Sequence, residues 1–337
     1  MVKNRGVKVF LVTVLAVWAV VSWPAGTLGA GTLDAVADRL VQTQGSGGSW
    51  AEYGFNGSIV AGMVKAYEAT GNEAYAAAAR LGGEAILANA KAGFFGDESY
   101  ALMRLSQIDP NPANNQWRSA LAKWYMQIWF SPNGIAGYVS WYYAIDTSTA
   151  IFYLSNDVVA AFYVNAPGKA QWRKELVGLM TWLNDDMCKW PVMALGVATW
   201  ALAQTGPLGE EFVPGGLIRP LSDLPGMLLS HQVPPGQPNA GTFYWRFDHG
   251  DDGTPQPVSG STEDTVFAVL GLMAANAANP SPVLDAAIAA AAGPLLGAAD
   301  ANGDVHVSLD QTGVSHQAYA GELLQVLPSA DAGGAEQ

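Results

Sequence analysis

The feature that most constrains this chain is an alternation of two helix types, first legible over residues 44–90, QGSGGSWAEYGFNGSIVAGMVKAYEATGNEAYAAAARLGGEAILANA. A Gly-rich loop leads into a helix over about 57–70, with apolar residues on most of its faces: Ile59, Val60, Met63, Val64 and Tyr67. That pattern fits a helix surrounded by protein. Gly71 supplies a stop, and Asn72 a cap for the next start. The helix over about 73–90 differs. At roughly 100° per residue it sets Glu73, Arg80, Glu84 and, just past its end, Lys91 within about 40° of one another. One helix looks inward; the next shows a wet face outward.

The unit repeats along the chain. Inner helices are expected to start near residues 57, 98, 148, 191, 263 and 315. Outer helices are expected over about 33–44, 73–90, 114–129, 170–183 and 282–296, with a weaker one near 216–229. Helix pairs recurring every 40 to 70 residues or so mean a repeat array. Six pairs with buried inner members favour closure over an open superhelix. The expected fold is all-α, an α/α toroid of about six helical hairpins, occupying 31–328 as one domain with a polar tail over 329–337. Within the longest loop, 231–262, a strand-like piece is expected at 242–247.

Residues 1–30 read as a secretory leader: Lys3, Arg5 and Lys8, an apolar run over 9–23, then small residues up to Ala30. The run is short for a membrane span, and no later stretch looks membrane-spanning. The expected location is secreted or periplasmic. Loss of the leader removes three basic residues and takes the formal charge from −13 to −16. So acidic a chain disfavours nucleic acid and other polyanions as partners. The single Cys188 cannot form an internal disulfide, so the exported chain relies on its core. Half the residues are apolar and 13% charged, which suits a large helical core.

Two short motifs carry a resemblance. Gln44-Gly45-Ser46-Gly47-Gly48-Ser49-Trp50 resembles the Gln-x-x-x-Gly-x-Trp repeat of the squalene-cyclase and prenyltransferase-like toroids. Ser-Thr-Glu-Asp-Thr at 261–265 is similar to the Asp-x-Asp-Asp-Thr acid motif of those cyclases, with Ser261 in place of the first Asp and Glu263 in place of the proton-donating one. The helix pattern extends the resemblance over about 32–326. It implies an α/α toroid with a central cavity.

In a ring of alternating helices every outer-to-inner loop falls on one end, and these loops are the longer set. Loops on one face of a rigid scaffold are where binding sites form. The inner-helix N-termini add partial positive charge there. We therefore take one cavity mouth to be surrounded by Trp50, Tyr53, Asp97, Glu98, Trp141, Tyr142, Asp146, Trp190, Trp245, Glu263, Asp264 and His316. Aromatic faces with carboxylates suit the stacking and hydrogen bonding of sugars, and paired carboxylates are the minimum for glycoside hydrolysis. Glu263 is the candidate general acid, its pKa raised by burial beside Asp264 and Asp146. Asp146 is the candidate base or nucleophile, and His316 a further candidate acid or base. Asp264 is counted with these three as a catalytic candidate, and the other eight residues are candidates for substrate binding.

The sequence holds no phosphate loop, dinucleotide fingerprint or nucleophile elbow, and no cofactor is expected. No metal site is expected either. The four histidines lack zinc spacing. Asp300-Ala301-Asn302-Gly303-Asp304 has calcium-loop alternation, but Val305 stands where Gly is needed, so a tight turn is the better reading. The leading expectation is a glycoside hydrolase on a neutral glycan or other small uncharged ligand. The alternatives are a non-catalytic glycan- or partner-binding envelope protein and a terpenoid cyclase-like enzyme.

Overall fold

The computed structural model describes residues 28–50, 56–90, 94–181, 191–212, 219–249 and 254–327. Among them the inner helices are α2 (Asn56–Thr70), α4 (Gly96–Gln107), α7 (Thr147–Tyr163), α9 (Val192–Thr205), α11 (Thr262–Ala278) and α13 (Gln317–Val326). The outer helices are α1 (Leu28–Thr43), α3 (Glu73–Asn89), α5 (Gln116–Trp129), α8 (Lys169–Met180), α10 (Leu224–Ser230) and α12 (Pro282–Gly297). Each inner helix packs on the one before and the one after, and α13 packs back on α2. Five of the outer helices lie over the groove between two consecutive inner ones, α3 over α2 and α4, α5 over α4 and α7, α8 over α7 and α9, α10 over α9 and α11, and α1 over α13 and α2, while α12 packs on α11. The fold is an all-α toroid of six hairpins.

The amphipathic contrast explains the layers. Ile59, Val60, Met63 and Val64 of α2 are fully buried, as a helix walled in on both sides and outside must be. On α3, Tyr75, Ala76 and Ala79 are buried against the ring, while Glu73 and Arg80 pair across the wet face at 3.8 Å. Asn72 caps α3 by accepting from the Ala74 N–H at 3.0 Å. Close helix packing relies on small residues. Gly62 of α2 lies directly on the backbone of Gly321 of α13, and Gly271 of α11 on that of Gly196 of α9.

The Gln-Gly-Trp loop is a strut. Gln44 Nε2 donates to the carbonyls of Gly48 and of Ala78 on α3, both at 2.9 Å. Gly48, at φ +87°, lets the loop lie on the backbone at Leu81, and Trp50 plugs the gap with its indole N–H on the Leu40 carbonyl. A second copy joins the loop before α11 to α12. Gln232 Nε2 donates to Gly241 (3.0 Å) and to Ala287 of α12 (2.8 Å), Gly241 at φ +91° lies on Ala290, and Phe243 takes the place of Trp50. Its longer Gln-to-Gly spacing hides it from a motif search.

Several elements differ from expectation. A short helix α6 (Gly134–Val139) and a 3-10 turn (Tyr142–Ala144) organise the segment expected as a plain loop. The strand expected at 242–247 is displaced: β3 (Arg246–His249) pairs antiparallel with β4 (Pro255–Val258), Phe247 opposite Pro257. Two prolines argue against a strand in sequence, but a two-stranded ribbon has edges that need no N–H donor. A second, two-residue ribbon joins β1 (Glu211–Phe212) to β2 (Arg219–Pro220). The weak outer helix shrinks to α10. Helix α1 begins at Leu28, three residues before the expected mature start. The remainder of the expected leader, the tail and Cys188 lie outside the described residues. No helix among the described residues is long and apolar enough to cross a membrane.

Candidate functional site

All six inner helices start at the same end of the ring, and two of those starts carry adjacent acids. At the start of α4, Asp97 is buried, with Oδ2 accepting from the Ser58 N–H of α2 at 3.3 Å. Burial, then the neighbouring Glu98, holds its pKa well above the usual carboxylate range. Glu98 accepts from the Phe95 N–H at 3.1 Å, and burial raises its pKa as well. Gly96 lies against the backbone of Tyr153 on α7, bringing that residue beside the acids. The Tyr153 phenol is pushed up to about 12, by burial first and then by Asp97, Glu98 and Asp146.

The second acid pair opens α11. Ser261 and Asp264 form a reciprocal cap: Asp264 Oδ2 accepts from the Ser261 N–H (2.8 Å) and hydroxyl (2.9 Å), and the Asp264 N–H donates to Ser261 Oγ at 3.3 Å. Asp264 is buried, and that burial raises its pKa against the hydrogen bonds that lower it. Glu263 is pushed up to about 7, by burial and then by Asp264, with a hydrogen bond from Tyr319 opposing. Tyr319 of α13 donates to Glu263 Oε2 at 3.2 Å. The His316 ring, at the cap position of α13, lies 4.7 Å from that of Tyr319. Burial first, then Glu263, the buried Glu322 on the same helix and Asp264, raise the Tyr319 pKa.

Ring order makes these two groups face each other. From α4 it is three steps to α11 in either direction, and likewise from α7 to α13. The acids of α4 therefore stand across the mouth from those of α11, and Tyr153 stands across from Tyr319. Below the acids the lumen is filled. Phe152 of α7 meets Phe267 of α11 at 5.3 Å, and Tyr100 of α4 meets Trp200 of α9 at 5.0 Å. Neither pair joins ring neighbours, so the rings meet across the lumen. All four are buried. Tyr100 follows Glu98 by two residues and Phe267 follows Glu263 by one helical turn, so this aromatic layer is the floor of the mouth.

The rim aromatics divide. Trp141 is 54% exposed and lies 5.7 Å from Phe95, which is 43% exposed and 6.0 Å from Tyr153. The three rings form a shelf beside Glu98. Trp245, partly exposed, carries the Arg246 guanidinium 4.0 Å over its ring, and Arg246 pairs with Asp248 at 3.0 Å.

Two expected platforms are corrected. Trp50 is buried in its strut, because its indole is needed between α1 and α3. Tyr142 is fully buried, its hydroxyl donating to Asp157 Oδ2 at 2.8 Å. Asp146 is exposed, and its Oδ1 accepts from the Thr149 N–H at 3.0 Å as the cap of α7. Tyr53 and Trp190 lie outside the described residues. Tyr153, Tyr319 and Glu322 belong to the site as well, although no sequence motif marks them. Their signal was a polar atom inside an otherwise apolar inner helix.

Asp300 behaves as a turn residue, accepting from the N–H groups of Asn302 (2.8 Å) and Asp304 (3.0 Å). Among the described residues no three His, Cys, Asp or Glu side chains converge as a metal site.

No family model and no curated protein matches the chain. Solved structures do. An inactive variant of an alpha-1,6-mannanase from Salegentibacter sp. HEL1_6, in complex with alpha-1,6-mannotriose, aligns with a TM-score of 0.59 at 12% identity, covering 89% of this chain and 98% of that one. A polysaccharide lyase aligns at 0.57 and 13% identity over 89% and 95%. A type II terpene cyclase from Scytonema, in complex with its product merosterolic acid A, aligns at 0.54 and 12% identity over 91% and 98%. At such identities the likeness concerns the fold alone, and the fold is that of an α/α toroid.

Proposed function

We propose that this protein is an exported glycoside hydrolase acting on a neutral glycan, gripped between the acids of α11 and those of α4. The observation that carries the reading is the pair of opposed carboxylate groups above an aromatic floor. Glu263, with a pKa near 7, keeps a proton available for the leaving oxygen, as a general acid must. Asp264 sustains that by its charge. Glu98, across the mouth, is the base. Its raised pKa makes it a stronger base, and the Phe95 N–H keeps it ionised. Asp146 takes a lesser role than the sequence suggested, since its carboxylate caps α7.

Inner helices packed about 9–10 Å apart in a ring of six, with side chains reaching about 6 Å from each axis, leave about 6–8 Å between opposed carboxyls. That distance admits a water, and carboxyl separations of about 6.5–9.5 Å go with inversion. The Phe95–Trp141 shelf would stack a neighbouring sugar. Arg246 is the sole Lys or Arg among the described residues of the mouth loops, so polyanionic substrates are disfavoured. The mannanase aligned above is an inactive form with two adjacent aspartates replaced by asparagine; among the described residues of the mouth, the adjacent acids are Asp97–Glu98 and Glu263–Asp264. The filled lumen disfavours a terpenoid cyclase, which must enclose an apolar substrate. The aromatic shelf also supports a second reading, glycan binding without catalysis.

The test is a panel of neutral oligosaccharides offered to the mature protein, with binding and cleavage read together. Cleavage by the wild type, lowered by about 10²–10⁴ in Glu263→Gln with binding retained, supports the hydrolase. Binding with no cleavage selects the second reading. If the panel is neither bound nor cut, the glycan assignment fails.

A further inference from the structure

We propose that Tyr319 is the positioning residue of the acid arm: its hydroxyl, donated to Glu263 Oε2, fixes which carboxyl oxygen faces the substrate and how tightly that carboxyl holds its proton. The catalytic consequence rests on the hydrolase reading; the pairing itself does not.

Glu263 is the second residue of α11, and Tyr319 the third of α13, the next helix in the ring. The bond at 3.2 Å therefore crosses a ring seam. The His316 ring against Tyr319 and the buried Glu322 one turn further on limit where the phenol can go. The titratable groups acting on Glu263 are Asp264 on its own helix and Tyr319 on α13; Glu322 and His316 on α13 face Tyr319 in turn. The described first turn of α9, Val192-Met193-Ala194-Leu195, contributes none.

Two consequences follow from the donor's direction. Oε2 is occupied as an acceptor, so when Glu263 is protonated the proton sits on Oε1. That oxygen is then the one that delivers it to a leaving group. A phenol donor also favours the ionised carboxylate over the neutral acid. Tyr319 thus opposes burial and Asp264, which both push the other way. Without it, Glu263 would hold its proton to higher pH.

The experiment uses the full mature chain labelled with 13Cδ-glutamate, the Glu263 resonance being assigned by its absence in Glu263→Gln. Its titration is followed in the wild type, in Tyr319→Phe, and in a protein with 3-fluorotyrosine at position 319, whose phenol is a stronger donor of the same shape. Tyr319→Phe is expected to raise the midpoint by about one pH unit, the scale of a hydrogen bond to a charged group. The fluorotyrosine protein should lower it. On a cleaved glycan the alkaline limb of kcat should move with the midpoint in both proteins, while KM changes less. Unmoved midpoints in both overturn the proposal, whether or not glycans are cleaved. Moved midpoints with no cleavage of any glycan uphold the pairing and sink only the hydrolase reading. If Tyr319→Phe does not fold, the direction of the fluorotyrosine shift decides.

Discussion

Gly62 of α2 lies on the carbonyl of Gly321 of α13, and Gly321 lies in turn on the backbone of Ser58 and Ile59. One residue is near the start of the ring and the other near its end, so this contact closes it. Any Cβ at position 321 would meet main chain, which cannot swing aside as a side chain can.

Gly321→Ala is therefore expected to destabilise the protein by about 2–4 kcal/mol, at the upper end of overpacking costs. Urea unfolding would read this directly. A midpoint equal to the wild type would mean that the first and last inner helices are not in contact.

The two glutamine struts should contribute independently. Gln44→Ala and Gln232→Ala each remove a side chain that donates to two carbonyls. Each is expected to cost about 1–3 kcal/mol. They brace different outer helices, so the double variant should lose the sum. A strongly non-additive result would show that the two struts act through a shared element.

Asp157 makes stability depend on pH. It is fully buried on α7, with Tyr142 donating to its Oδ2 and its own carbonyl accepting from the Tyr125 hydroxyl. Burial pushes its pKa up to about 8, against 3.8 for the ordinary group. The folded state thus holds a proton that the unfolded chain has released. Between those two values stability should fall as pH rises, by up to about 1.4 kcal/mol per pH unit, and level off above. Asp157→Asn mimics the neutral acid and should flatten that part of the profile. Denaturation midpoints at several pH values would check this; a parallel slope in the variant assigns the effect elsewhere.

The rate profile should also be shaped by the two acid groups. Glu263 must be protonated, so cleavage is expected to decline as pH rises through about 7. Glu98 must be ionised, so the acidic limb should lie above the ordinary carboxylate value, 4.5. Glu98→Gln should remove that limb along with most of the rate. If Asp146→Asn does so instead, with Glu98→Gln still active, the base sits on α7.

Trp141→Ala tests the shelf. More than half exposed, the side chain contributes little to the core. Affinity for a neutral oligosaccharide is expected to fall about tenfold, a stacking contribution of about 1.4 kcal/mol. The melting temperature should stay unchanged. Undiminished affinity would remove Phe95 and Trp141 from the binding surface.

The sequence by itself determined the helix types, the six inner starts and the acids that stand at two of them. Periodicity, caps and stops act within a few residues, so Ile59, Met63, Gly71 and Asn72 announce their structural parts without knowledge of the rest. The tertiary structure alone decided which side chains those starts would meet. Trp50 and Trp141 both read as loop aromatics, yet one is enclosed between α1 and α3 and the other lies open on the rim. Tyr142 looked like its neighbour Trp141 and is buried on Asp157. Tyr153 and Tyr319 are interior helix residues until ring packing sets them beside Asp97–Glu98 and Glu263. The floor of Phe152 on Phe267 and Tyr100 on Trp200 requires helices that are not neighbours to face one another. Such contacts depend on the sum of six helix packings and on closure at Gly62 and Gly321, and no local pattern encodes that sum.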